Sequence, residues 1–369
     1  MATLRRIQHL QSHLQAWSAP SAASVVVETI EGYPEDAHVM PKYHHSPRFE
    51  CDDPAFLEYL DEHGYAVIKN VLTKEEAAHG VSLVWEFMEN LGTGIDRNNP
   101  ATWGSDRWYP GSNPGGGIMG NFGVGQSAAL WFVRANPKVQ KVFETIWGTP
   151  DLLSSFDGFC LFRPWGLNRE WKTQGGRFHT DRSYSSKYDR PDKRHYVQGF
   201  CNLVQTSAAG MGNLVVPGSH LLYEELGRDF AGGENRVSVQ SLNNDQRKKA
   251  FPNLYDNAIC AHMEAGDFFL WDDRTLHCNS SGVGEARGVA ELMRVACYVC
   301  MTPRAAVSEE CLASREAAVR AGFGSGHTGG FDVPINMQGR SPTDAKNPQY
   351  KYAGLTWEEL TEDQKKLVR

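Results

Sequence analysis

The sequence predicts a mainly β protein with flanking helices, its core a β-sandwich or barrel. Three observations carry this. Between residues 157 and 303, short apolar runs alternate with Gly, Pro, Asn and Asp, the pattern of strands joined by turns. On both sides of that stretch, apolar residues recur at helical spacing behind recognisable caps. No internal repeat or low-complexity linker separates these parts, so 369 residues read as one decorated domain rather than two. On this reading residues 1–50 are an N-terminal extension and 51–369 one domain. Within it, 51–150 brace a β core at 157–303, and 304–369 supply a C-terminal helix and lid loops.

Taken in order, residues 1–27 hold no acidic residue, and Leu4, Ile7, Leu10, Leu14 and Trp17 recur at helical spacing. We read an amphipathic helix docked on the domain; Arg5, Arg6 and the Ser and Ala content also resemble an organelle transit peptide. Residues 53–64 predict a short helix with Gly64 as its stop, followed by a strand over 65–71. Thr73 and Glu76 have capping-box spacing, which places a helix N-terminus there. Residues 92–126 are rich in Gly, Pro, Asn and Trp and read as a long ordered loop. Gly123, Gly125 and Ala128 fit G-x-G-x-x-A, but the preceding Gly115–Gly120 reads as no strand, which argues against a dinucleotide site.

Asn136 and Pro137 open a helix that Gly148 ends. Strands are expected at Phe159–Phe162, Val197–Val204, Asn213–Val216, Ala258–His262, Asp267–Trp271 and Leu292–Met301. Ser308 caps a helix over 309–321, residues 322–355 read as loop, and Thr356 with Glu359 caps a terminal helix.

Composition narrows the function. With 37 basic and 44 acidic side chains the net charge is −7, which offers no general footprint for nucleic acid or an anionic membrane. No apolar run is long enough for a transmembrane helix. Eight Cys in 369 residues are too sparse for a disulfide scaffold and read as reduced thiols in a cytoplasmic setting. Cys297 and Cys300 form C-x-x-C inside a predicted strand, with no second pair at zinc spacing, so they read as thiols packed beside a sheet.

The chemistry rests on His179-Thr180-Asp181 and on His277. In a strand, residues two apart face the same side, so His179 and Asp181 aim at one point. His277 follows the strand at 267–273, which reaches the same point if the sheet curls into a barrel. Two imidazoles and one carboxylate on a triangular face are the ligand set of non-haem Fe(II) and leave positions open. Alone, H-x-D is weak, and the alternative is a salt-linked His179 with a structural His277.

The wider context resembles the phytanoyl-CoA dioxygenase-like branch of the Fe(II)/2-oxoglutarate-dependent oxygenases. Leu161–Pro164, Phe178–Asp181, Gly212–His220, Ala265–His277 and Arg294–Val299 carry the resemblance, in the family's order. It implies a double-stranded β-helix, two four-stranded sheets rolled into a cupin-like jelly roll and braced by helices. It also implies His179, Asp181 and His277 as catalytic iron ligands, with 2-oxoglutarate as cosubstrate and O2 as oxidant. The family's Arg for the distal carboxylate of 2-oxoglutarate has two candidates. Arg294 opens the last apolar strand and is preferred; Arg287 stands at the family's usual interval and is held in reserve. Phe200 stands where many relatives carry a pocket-lining Trp, keeping the apolar wall without the indole N–H. Asn279 and Ser281 are further candidates for the cosubstrate.

The expected reaction oxidises a C–H bond of a small organic substrate, by hydroxylation, ring closure or desaturation, with release of succinate and CO2. Asp181 disfavours halogenation, because halogenases of this superfamily carry a small residue there. Substrate choice is expected outside the core, from Trp108, Arg163, Gln174, Arg177 and Arg182. Arg182 belongs to a basic run with Lys187, Arg190, Lys193 and Arg194 that suits a carboxylate or phosphate on the substrate. The alternatives are a cupin-like isomerase that dispenses with 2-oxoglutarate and an oxygenase acting on a macromolecule. Oligomeric state is not readable.

Overall fold

The computed structural model describes residues 42–105, 107–108, 117–173, 178–181, 196–207, 210, 212–223, 257–279, 289–343 and 348–369. Readings of 1–27 and of the basic run at 182–194 lie outside them. The chain begins with β1 (Lys42–His44), β2 (Arg48–Phe49), α1 (Ala55–His63), β3 (Tyr65–Ile68) and α2 (Lys74–Asn90). Next are β4 (Ile118–Met119), α3 (Ala128–Arg134), α4 (Pro137–Trp147), β5 (Leu152–Ser154), β6 (Phe159–Phe162) and β7 (Val197–Asn202). Then come β8 (Asn213–Val215), β9 (Ile259–Ala261), β10 (Phe268–Asp272), β11 (His277–Asn279), β12 (Arg294–Pro303), α5 (Glu309–Arg320) and α6 (Glu362–Lys366).

Local chemistry sets the helix ends. Gly64 closes α1 at φ 78°, its N–H returning to Leu60 O. Thr73 and Glu76 satisfy each other's backbone N–H groups as a capping box. Asn136 caps α4, Pro137 takes its first turn and Gly148 ends it at φ 70°. Ser308 caps α5. Thr356 and Glu359 do form a capping box, but it closes only a 3-10 turn, and α6 starts behind a second box at Thr361 and Gln364.

Two sheets face each other. One runs β1-β9-β8-β11; the other runs β2-β3-β10-β7-β12-β6-β4, with β5 also on β12. The second sheet is wider than the four strands expected, because β2 to β5, which precede the core, add to it. Pairing is antiparallel except for β1 on β9 and β2 on β3. The inner faces meet in one apolar cluster: Tyr65, Val67, Cys160, Phe162, Phe200, Phe269 and Trp271 from the wide sheet, Val215, Ile259 and Ala261 from the narrow one. Phe159, Leu161, Cys201, Phe268, Leu270 and Val295 alternate with these and pack outward against Phe56, Leu60, Val84, Met88, Val139 and Phe143 of the helices. Burying that outer face at about 25 cal/mol per Å² is what holds the helices on the sheet.

The described residues of 92–126 include regular structure where an ordered loop was expected. Ile118 and Met119 form an edge strand, registered on Cys160 and Phe159, where no strand was expected. Two residues are too few to show periodicity. Val124–Gln126 is a 3-10 turn leading into α3, and a Cβ on Gly125 would lie 2.3 Å from Phe156 O. That glycine serves close backbone packing, not a phosphate cradle. Cys297 and Cys300 are buried free thiols in two different clusters, as residues three apart on a strand must be.

Candidate metal centre

Local backbone pairing brings the three expected ligands together. His179 and His277 form an isolated antiparallel bridge, each N–H donating to the other's carbonyl at 3.0 Å. Their rings lie 4.4 Å apart. The Asp181 N–H bonds to Asp273 O at 3.0 Å, which turns its carboxylate to the same side. His179 Nε2 is 3.5 Å from Asp181 Oδ1, and His277 Nε2 is 3.1 Å from Oδ2. One ligand atom from each of the three lies within 4.8 Å of the others, close enough to hold one metal ion. Neutral imidazole and carboxylate suit Fe(II), and no thiolate joins them.

A second layer fixes these groups. Gln198 Nε2 donates to Asp181 Oδ2 at 2.7 Å. His277 Nδ1 pairs with Thr275 O at 2.9 Å, so Nδ1 carries the proton and Nε2 is left as the ligand atom. The Thr275 hydroxyl in turn donates to Gly64 O at 2.8 Å, anchoring this turn on the α1–β3 corner. A Cβ on Gly64 would lie 2.5 Å from His220 Nδ1 and 2.6 Å from Thr275 Oγ1, so only glycine fits there. His220 is buried, with Nε2 on Asp61 O at 2.9 Å, a structural role consistent with the turn on which it sits. Burial alone would raise the Asp181 carboxyl, but the neighbouring His277 and His327 rings, with His179 beside its Oδ1, hold it well below the usual range. It is therefore a carboxylate at neutral pH.

Deeper in the barrel lies Arg294, 2% exposed, on the first residue of β12. Its guanidinium lies 5.0 Å from the Phe200 ring centre and 5.3 Å from that of Phe162, and Nη1 donates to Asn279 Oδ1 at 2.9 Å. Nη2 is buried without a hydrogen-bond partner. A buried cation with an unused donor inside an apolar wall fits a carboxylate ligand such as the one the resemblance implies. Tyr298 and Cys160 line the same space, and burial pushes both their acid groups upward.

Other expected residues fall elsewhere. Arg163 comes directly after Phe162 and so turns to the outer face, its guanidinium 4.9 Å from the Trp108 ring centre and 5.4 Å from that of Trp171. Nη1 donates to Trp103 O at 2.7 Å. Arg163 and Trp108 thus pack on each other rather than beside the histidines. Gln174, Arg177, Arg182, Ser281 and Arg287 lie outside the described residues. Sequence reasoning missed Gln198 and Tyr298. Strand parity was the available signal, since each stands two or four residues from a residue already placed inward.

The chain is similar to known proteins in both sequence and fold. The phytanoyl-CoA dioxygenase (PhyH) family profile matches residues 60–282, a segment that holds all three ligand candidates. An Aspergillus versicolor protein named Ava biosynthesis cluster protein O is 26% identical over 266 residues, which are 69% of this chain and 79% of that one. A Dictyostelium discoideum protein whose name carries the phytanoyl-CoA dioxygenase term is 25% identical over 266 residues, 64% of this chain and 74% of its own. The fold matches a solved Salmonella typhimurium LT2 protein, whose name goes no further than oxidoreductase, with a TM-score of 0.54 at 16% identity. That match covers 87% of this chain and 85% of the other. Because the family match spans more than half the chain, the chain belongs to the phytanoyl-CoA dioxygenase family and is a non-haem iron, 2-oxoglutarate-dependent dioxygenase that uses Fe(II), 2-oxoglutarate and O2.

Proposed function

We propose that His179, Asp181 and His277 hold the iron, that Arg294 pairs with the distal carboxylate of 2-oxoglutarate, and that the enzyme oxidises a C–H bond of a small organic substrate. The observation that carries this is the trio of ligand atoms within 4.8 Å, with Nε2 of His277 freed by the Thr275 carbonyl. Bound there, iron and 2-oxoglutarate supply the oxidation, with loss of CO2 and formation of succinate. The protein's own part is to orient and to exclude water. Gln198 steers one Asp181 oxygen, Phe162 and Phe200 keep the guanidinium dry, and His179 marks the open side of the cluster, its side chain 38% exposed against 7% for His277.

A small-molecule substrate is supported by the relative named for a biosynthesis cluster and by the net charge of −7, which offers no general footprint for nucleic acid. Hydroxylation, ring closure and desaturation share the first hydrogen abstraction and diverge only at the step after it. A carboxylate- or phosphate-bearing substrate suits the basic run at 182–194. We read residues 51–369 as one domain, because the outer cluster joins the helical brace to the β core.

The test is turnover. Protein given Fe(II), 2-oxoglutarate and air should form succinate, and Asp181→Ala should stop it. Succinate formation that survives Asp181→Ala would remove Asp181 from the ligand set. Arg294→Ala should raise the 2-oxoglutarate requirement while Arg287→Ala leaves it unchanged; the reverse would move the cosubstrate cation to Arg287.

A further inference from the structure

We propose that Asn213 stands beside Arg294 as a second donor to the distal carboxylate of 2-oxoglutarate, an inference that rests on the reading of Arg294 given above. β8 pairs antiparallel with β11, and Asn213 lies directly opposite Asn279. Opposed residues project to the same face, with Cβ atoms about 4.5–5.5 Å apart. Asn279 faces the barrel interior, since its Oδ1 receives Arg294 Nη1 at 2.9 Å. Asn213 therefore faces inward too, as does Val215 two residues later, which lies in the inner cluster.

The backbone at this point also runs close to the guanidinium. A Cβ on Gly212 would lie 3.4 Å from Arg294 Nη1. Two buried donors then share this corner without partners, Arg294 Nη2 and Asn213 Nδ2. Unpaired buried donors are costly, and native proteins keep few of them. Asn279 relieves neither in this arrangement: its Oδ1 takes Nη1, and its Nδ2 points to Cys160 Sγ at 3.7 Å. What satisfies two neighbouring donors, one of them cationic, is a group with two acceptor oxygens and a negative charge. The rings of Phe162 and Phe200 beside it lower the local dielectric, which strengthens such bonds.

The test reads binding rather than turnover. Iron-loaded protein is titrated anaerobically, by calorimetry, with 2-oxoglutarate and separately with 2-oxopentanoate, in which a methyl replaces the distal carboxylate. Asn213→Ala should weaken 2-oxoglutarate about 10-fold, the scale of a lost charge-assisted hydrogen bond. It should leave 2-oxopentanoate unchanged. Asn213→Asp should weaken 2-oxoglutarate further, by like charge, and Asn213→Ser, which keeps a donor, should fall between wild type and Ala. Equal loss of both acids in Ala and Ser would make Asn213 structural, and no loss of either would remove it from the site. Both outcomes overturn the inference. Arg294→Ala separates the two readings: loss of 2-oxoglutarate selectivity there, with none at Asn213, sinks Asn213 alone, whereas retained selectivity sinks the role of Arg294 as well.

Discussion

His179 and His277 are joined to each other through the backbone in both directions, each N–H on the other's carbonyl at 3.0 Å. This is the hydrogen-bonded pair of an antiparallel ladder reduced to one rung. It places two imidazoles from distant parts of the chain side by side without any help from their side chains. The pairing of the two strands therefore does not depend on either ring, and the backbone geometry survives replacement of either side chain.

A first prediction comes from that independence. His277→Ala should abolish tight metal binding while the fold persists, because the bridge is made by main-chain atoms. Mn(II), a redox-silent probe, should bind more than about 100-fold more weakly, beyond the range for loss of an outer-shell partner. Calorimetry gives the affinity, and thermal unfolding of the apo-protein checks the fold. Unchanged Mn(II) affinity would exclude His277 as a ligand.

Gln198 gives the second prediction. It donates to Asp181 Oδ2 at 2.7 Å and touches neither histidine ring in any described contact. Gln198→Leu keeps the volume and loses the donor, freeing the carboxylate to rotate. Metal affinity should fall about 10-fold, and Gln198→Glu, which sets two carboxylates together, should raise the pH at which metal binds. An affinity equal to wild type in Leu would show that Asp181 is held by its backbone alone.

Much of this centre was legible in the sequence because it rests on short-range rules. His179 and Asp181 are two apart, and the capping residues Thr73, Asn136 and Ser308 sit where their side chains must. Arg294 was readable from its place at the head of an apolar strand. What escaped was pairwise register. Nothing local says that Asn213 faces Asn279, that Gln198 reaches Asp181, or that the two residues Ile118 and Met119 join β6. Arg163 shows the same gap from the other side: as a residue it suits an anionic substrate, but strand parity turns it outward onto Trp108.

The third prediction concerns acid. Asp272, at the end of β10, is buried; burial alone would raise its carboxyl, but Arg274, at 2.8 Å through both Nε and Nη2, holds it below the usual value. A carboxyl whose folded pKa lies below its unfolded value of about 3.9 adds stability above that pH. That contribution is lost as the pH falls through the folded value. Arg274→Met should cost roughly 3 kcal/mol at pH 7, the scale for breaking a buried pair. The gap between variant and wild type should shrink as the pH falls from the variant's carboxyl, which burial without Arg274 raises, to the lowered one of the wild type, because the unfolded carboxyl is common to both. Urea unfolding at pH 7, 5 and 3.5 measures it, and a gap that stays constant with pH would show that Arg274 acts by packing.

The last prediction links the far end of the chain to the metal centre. Arg315 on α5 is fully buried, and its guanidinium donates to Val368 O at 2.8 Å, Ser154 O at 2.8 Å, Leu367 O at 3.0 Å and the Gly329 carbonyl. It therefore ties the C-terminal residues, β5 and the turn at Gly329 together. Two residues before that turn is His327, whose ring is among the groups that lower the Asp181 carboxyl, and three after it is Asp332, which receives the Tyr196 hydroxyl. Tyr196 O then accepts Asp273 N–H, and Asp273 O accepts Asp181 N–H. Arg315→Leu removes this donor from Val368 O, Ser154 O and Gly329 O, while Leu367 O keeps the Ser154 N–H at 2.9 Å; at on the order of 1 kcal/mol for each lost bond, stability should fall by roughly 3 kcal/mol. Lys should rescue little, since one ammonium cannot reach acceptors that a planar fork spans. Because the same contacts end at Asp181, Mn(II) affinity should fall with stability, and a variant that loses stability while binding metal as tightly as wild type would cut that connection.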